Sequence, residues 1–583
     1  MEKMPATWFT LFIAGLALAL SNDTAAAVPT PAGPPEIILH HATVVRVDPP
    51  EATASAVAIA GGSIVFVGSD EGALALRGPS TRVVDLAGRT IIPGLIDAHG
   101  HVSSLGFSMV RVDATGTRSP AEVAARLRDA ALKARPGSWI RGRGWDQNDW
   151  DSKEFPDTRL LDEAAPTNPV ALARVDGHAL WVNRRALETA GITRKTPDPQ
   201  GGRILRDVEG RPTGILVDNA IDLVEAKIPA PDRPETRQAI LRALNRCLNS
   251  GLTQVHDAGV PPEEVSIYRE LAAAHALPIR VYVMLGGEPG VLAKEIASPP
   301  VIGLDDGFLT IRAVKLFMDG ALGSRGAALF EEYADEPGNR GLVVRPVEEI
   351  RALAAQAHAR GYQVCIHAIG DRGNSLALDA LEGAPGTAYP GDHRSRIEHA
   401  QVLRREEIPR FRSLGIIASM QPIHATSDMS WAEARLGPRK VAGAYAWRQV
   451  LDSGAVIAGG SDFPVEPENP FLGLYAAMTR QDLEGRPPGG WLPQERMTPE
   501  EALRAFTISA AYAGFQERWL GSISVGKKAD LVILPANPLT APVSELPGMK
   551  PEAVIVNGCP VRAAADLRRA FGPLSSQGGK PCS

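Results

Sequence analysis

The chain has 583 residues, 44% hydrophobic and 22% charged, with 61 Lys and Arg against 67 Asp and Glu. A net charge of −6 gives no electrostatic footprint for nucleic acid, and four cysteines exclude a disulfide scaffold or a thiolate-rich zinc module. The 57 Gly and 48 Pro are too many for a helical bundle and too scattered for collagen or low complexity, which leaves a large α/β protein.

Trp8–Leu20 is an uncharged apolar run, followed by Asn22, Asp23 and Ala25-Ala26-Ala27. The run is shorter than the roughly 20 apolar residues of a membrane-spanning helix. It has the length of a secretory core ahead of an A-x-A-like cleavage site. The expectation is a signal peptide over residues 1–27, export to the periplasm or beyond, and no stable membrane span.

After a Pro-rich stretch, Ile37–Val47, Ala56–Ala60 and Ile64–Val67 read as strands, with Gly61-Gly62 as a hairpin turn. Near the other end Asp530–Leu534 and Ala553–Val556 read alike, with Asn557-Gly558 as the turn. Neither group has enough strands to stand alone. Residues 36–92 and 521–566 are therefore expected to form one small β-sandwich domain, leaving 567–583 as a flexible tail.

Between them, residues 93–520 alternate apolar runs with helical patterns, such as Ile350, Leu353, Ala354 and Ala357. Eight strands are expected, at Ile96–His101, Thr253–Asp257, Arg280–Leu285, Ala313–Asp319, Gln363–His367, Arg396–His399, Ile416–Met420 and Val456–Asp462. Strands alternating with helices imply an α/β (β/α)8 TIM-like barrel, whose active site lies at the C-terminal strand ends. Residues 107–250 exceed one βα unit and read as an insertion after the first strand.

Six residues at those strand ends carry the chemistry. His99 and His101, two apart, share one face of a strand. Lys315, His367, His399 and Asp462 end the fourth, fifth, sixth and eighth strands. Imidazole with carboxylate suits zinc or a neighbouring transition metal. Each residue alone has a plain explanation, as a core histidine, a capping aspartate or a snorkelling lysine, but successive strand ends make the coincidence improbable. A buried lysine tends to lose its proton, and the neutral amine can add CO2 to become a carbamate that bridges two metals. Further candidates for substrate contact are Trp145, Asp146 and Gln147 in the insertion, and His178 and His424 as donors to a substrate carbonyl. Arg325, after the fourth strand, could orient a polar group. Each of these could equally be a packed or surface residue.

IIPGLIDAHGH (Ile91–His101), with the lysine, histidines and aspartate that follow, resembles the amidohydrolase superfamily. GSISVGKKADLVIL and VIVNG are similar to its C-terminal sandwich segment. GWDQNDW (Gly144–Trp150), KLFMDGALGSRGA (Lys315–Ala327) and HAIGDRGN (His367–Asn374) resemble its amidohydrolase 3 branch, which includes N-substituted formamide deformylase. The resemblance implies two divalent metals, zinc in the first instance. His99, His101 and Asp462 would hold one, His367 and His399 the other, and N6-carboxylated Lys315 would bridge them. It implies a metal-activated hydroxide as nucleophile, with Asp462 moving the proton. The expected reaction is hydrolysis of a non-peptide carbon–nitrogen bond, of amide or formamide type, in a small molecule. The rivals are a hydrolytic deaminase or cyclic amide or ester ring-opening enzyme on the same scaffold, and a non-catalytic metal- or small-molecule-binding barrel. Lys315 disfavours the deaminase, because mononuclear members generally lack that ligand. A homo-oligomer is compatible with the sequence but not specified by it.

Overall fold

A computed structural model describes residues 33–48, 53–229, 231–382 and 392–572. The apolar run, the cleavage site and residues 573–583 lie outside the described residues. Among those described, no helix is long and apolar enough to cross a membrane.

Eight parallel strands form the centre: β1 (Leu95–Gly100), β2 (Leu252–Val260), β3 (Arg280–Leu285), β4 (Leu309–Phe317), β5 (Gln363–Ala368), β6 (Arg396–His399), β7 (Ile417–Met420) and β8 (Ile457–Gly459). Each pairs in parallel with the next in chain order. Beyond β8 the chain returns to β1, where the Asp462 amide donates to His99 O and the His101 amide to Phe463 O, both at 2.7 Å. The protein is thus a nearly closed α/β barrel. Its strands are buried almost throughout because both faces are covered. Val281, Val283, Ile311, Val364 and Ile366 point outward into the main core, while Ala258, Tyr282, Met284, Ala313 and Cys365 pack together inside. β8 is shorter than its apolar run suggests, since the chain leaves the ladder before Asp462, which takes φ +60°.

The segment after β1 builds a sheet of its own. Its six strands are Val112–Asp113, Ile140–Trp145, Val170–Arg174, Ala179–Val182, Gly202–Arg206 and Pro212–Asp218. The barrel resumes before residue 250. Helix Arg233–Asn249 begins with a capping box of Asp232 and Glu235, and its Ile240, Ala243, Leu244 and Leu248 belong to the barrel core. It crosses helix Val102–Ser108 at Gly106, where a Cβ would stand 1.9 Å from the Ala239 carbonyl oxygen. Gly106→Ala is therefore expected to cost about 1–3 kcal/mol through overpacking. A melting temperature equal to that of the parent protein would refute so close a crossing.

The sandwich is made from both ends of the chain. One sheet is Ser63–Gly68, Ala56–Ala60, Ile37–His40 and Arg82–Asp85; the other is Thr43–Val44, Thr90–Pro93, Leu531–Leu534, Ala553–Val556 and Cys559–Ala563. Thr90–Pro93 runs antiparallel to Leu531–Leu534, and Ile37, Leu39, Val57, Ile533 and Ile555 share one buried cluster between the sheets. The two expected turns hold, with positive φ at Gly61, Gly62, Asn557 and Gly558. The long first strand breaks at His41, φ +57°. Residues 567–571 are not a loose tail: helix Ala565–Phe571 buries Leu567 and Phe571 in the sandwich core.

Candidate active site

The C-terminal ends of the barrel strands bring His101, Lys315, His367, His399 and Asp462 around one cavity of about 620 Å³, with His99 buried behind them against Lys315 and Asp462. Asp462 and His399 both have positive φ, +60° and +75°, which turns their side chains inward just as the chain leaves the sheet. Such backbone is strained for most residues and tolerated best by Asn, Asp and His.

Three imidazoles are held by their Nδ1 atoms. The His101 ring donates to Ala258 O at 2.9 Å and the His399 ring to Gln421 Oε1 at 2.8 Å. His99 Nδ1 is bonded to Glu398, which Arg396 contacts at 2.8 Å. An acceptor at Nδ1 fixes the tautomer and leaves the Nε2 lone pair facing the centre. There His101 Nε2 meets Asp462 Oδ1 at 3.1 Å, and His99 Nε2 lies 3.5 Å from the same oxygen and 3.3 Å from Lys315 Nζ. Two acceptors facing one another in a buried site call for a cation between them.

The donor set fits a divalent metal. His99, His101 and Asp462 offer atoms within 4.8 Å of one another, as do His399, His424 and Asp462. Asp462 Oδ1 and His424 Nε2 are buried without a hydrogen-bond partner. His424, foreseen as a donor to substrate, thus joins the second group where the resemblance placed His367. His367 instead has Nε2 3.5 Å from Gly320 O and 3.7 Å from Asp319 Oδ1, with its ring 4.7 Å from that of His399.

The electrostatics keep the bases neutral. Burial, with Lys315 nearby, pushes His99 down to about 4, and burial holds His367 and His399 well below the ordinary imidazole value. Burial also lowers the Lys315 amine. At Asp462 burial acts the other way, but the surrounding imidazoles prevail and hold the carboxyl well below its usual range. A histidine kept neutral in the fold binds its proton only after unfolding. Stability is then complete above pH 6.5 and is lost as pH falls towards the folded value near 4. For His99 alone the loss is roughly 3 kcal/mol. Metal-free protein should show a melting temperature that drops steadily between pH 6.5 and 4.5. A flat profile there would contradict the buried neutral imidazoles.

The Amidohydrolase family (Amidohydro_3) matches residues 82–562. The chain belongs to the amidohydrolase family. It is 36% identical over 545 residues to Protein LONG AFTER FAR-RED 3 of Arabidopsis thaliana, covering 90% of this chain and 92% of that protein. It is 29% identical over 537 residues to N-substituted formamide deformylase of Arthrobacter pascens, covering 90% and 97%. The crystal structure of a metal-dependent hydrolase from Pyrococcus horikoshii matches with a TM-score of 0.71 at 28% identity, covering 87% of this chain and 99% of that one. This amidohydrolase is accordingly a metal-dependent hydrolase acting on carbon–nitrogen bonds, which sets aside the non-catalytic barrel.

The insertion supplies one wall of the amidohydrolase cavity. Asp146 and His178 line it. His178 bonds to Asp218 at 2.8 Å; burial opposes its protonation, but that bond raises its affinity for a proton. Trp145, expected to line the cavity, does not. It packs in the insertion core with Trp150, Trp181 and Phe155, and its indole donates to Leu172 O at 2.7 Å. Gln147 is buried behind the wall, accepting from Arg174 Nε at 2.8 Å. Arg325 points away, paired with Asp335 at 3.1 Å and Glu336 at 3.4 Å. Glu398 and Gln421, which orient His99 and His399, have no spacing that marks them in the sequence.

Proposed function

We propose that the protein hydrolyses a formamide or other small non-peptide amide, using two zinc ions held by the strand-end residues and a carboxylated Lys315. The observation that carries the reading is the buried Lys315 amine, 3.3 Å from His99 Nε2 within a ring of metal donors. Its lowered proton affinity favours the free amine, which adds CO2 at carbon and releases one proton to give an anionic carbamate. The nitrogen and oxygen donors suit zinc. When bound, the metals acidify a water and withdraw charge from the substrate carbonyl. Asp462 takes the water proton at its carboxylate and returns it to the leaving nitrogen as the new C–O bond replaces the C–N bond. His178, oriented by Asp218, donates to the carbonyl oxygen. The formamide deformylase relative supports the choice of bond. Export is proposed on the Trp8–Leu20 run and the alanines that follow.

The test is a panel of N-substituted formamides, N-acyl amines, cyclic amides and amino-substituted heterocycles offered to metal-loaded protein. Release of amine and formate or another acid is expected. Release of ammonia from ring amines alone, or ring opening alone, would replace this reading with its rivals.

A further inference from the structure

Not every charge around the cavity is accounted for by the reaction. Strand Ile140–Trp145 turns Arg141 and Arg143 towards it, and Arg111 adjoins them at the end of the wall that starts from His101. Arg143 is committed, donating to the carbonyl oxygens of Pro464 and Val175. Arg174 is committed as well, paired with Asp146 and Asp176. Arg111 and Arg141 are different. Among the described residues neither guanidinium donates a hydrogen bond; the one ion pair is Glu225, 3.8 Å from Arg141, and Glu235 lies farther off towards Arg111. Arg111 rests 4.4 Å above the Phe107 ring. Both are half-buried, and both also line an adjoining cleft of about 1230 Å³.

Two like charges half out of water are costly unless an anion is shared between them. Burial and the mutual repulsion already push Arg111 down to about 10. On the opposite side, burial pushes the Asp428 and Glu466 carboxyls up to about 7 and about 8, and Tyr445 and Ser427 hold them by hydrogen bonds. At the Arg111 and Arg141 end of the cavity the charge left without a hydrogen-bond partner is therefore positive.

We infer that Arg111 and Arg141 form an anion subsite for a carboxylate at the end of the substrate remote from the scissile bond. The inference rests on the hydrolytic reading above and narrows its substrate class. A planar guanidinium pair matches a carboxylate better than any neutral group. Between His101 and Arg111 the wall follows helix Val102–Ser108, which rises about 10 Å. The carboxylate thus lies several bonds beyond the amide, as in an N-acylated ω-amino acid.

The experiment compares N-formyl ω-amino acids with N-formyl alkylamines of equal length. The parent enzyme should prefer the charged series by about 10–100-fold in kcat/KM, carried by KM. The R111Q/R141Q variant should erase that preference, and E225Q, which removes the competing carboxylate, should raise it. No preference in the parent enzyme, or variants that leave the ratio unchanged, would overturn the subsite. Calorimetric binding of adipate against hexanoate reads the subsite without turnover. Adipate should bind more tightly, and R111Q/R141Q should abolish the difference. If nothing in the panel is hydrolysed yet that difference is seen and lost, the subsite stands and the hydrolytic reading falls. If adipate and hexanoate bind alike, the subsite falls.

Discussion

Replacing Lys315 with alanine is expected to remove at least one metal from each chain and to lower turnover by on the order of 10²–10³-fold. The effect follows from where the amine sits. Lys315 is 2% exposed at the end of β4, with Nζ against a histidine whose other nitrogen is already engaged by Glu398. Asp462 is the one carboxylate in either donor group, so the two ions proposed above would need a second negative group. On the reading proposed above, carboxylation supplies it. The fold should survive, because deleting a buried amine removes a desolvation cost rather than a favourable pair. Metal content by atomic emission, melting temperature and turnover decide the matter. Near-normal metal and activity in Lys315→Ala would sink the carbamate bridge.

Asp462→Asn should separate binding from proton transfer. Asparagine keeps the shape of the side chain and suits the φ of +60° at this position at least as well as aspartate. The amide oxygen can still face His99 and His101. What it cannot do is take a proton from water and give it back to the leaving amine. Turnover is expected to fall by about 10²–10⁴-fold, with most metal and the melting temperature retained. A variant that loses metal and activity in equal proportion would make Asp462 a ligand alone.

Much of this was legible before any coordinates. The barrel strands could be placed because most are short, mainly apolar runs, several of them closing on a polar, metal-competent residue. That pattern arises when a strand is covered on both faces and opens to a cavity at one end. Trp145 was misplaced for an equally physical reason. Strict alternation from Arg141 and Arg143 would aim it at the cavity, but the ladder skips Gly144, pairing Arg143 with Ala173 and Trp145 with Arg174. Gly144 has φ +97°, and a Cβ there would meet Thr115 Oγ1 at 2.4 Å. This bulge turns the indole into the insertion core and Asp146 towards the cavity. Glycine within the strand, at Gly142 and Gly144, was the available sign. His424 reads in the sequence as a donor to substrate or a core or capping histidine, and it does not end a strand as the candidate metal ligands do. It sits instead on the short helix Pro422–Asp428 beyond β7. Glu398 shares its strand with a ligand, and only the packed barrel shows it reaching across to His99.

The hydrogen bonds that join β8 to β1 run through His99, His101, Asp462 and Phe463, so the seam of the barrel passes through the metal site. The two sides of that seam are separated by most of the chain, and bringing them together carries a large loop-closure cost, exceeded where the sandwich joins Thr90–Pro93 to Leu531–Leu534 and its neighbours. Ions held across it would act as a clasp, coupling assembly of the whole barrel to metal supply. Chelation would then be felt first as faster amide exchange along β1 and β8, before any distant helix loosens.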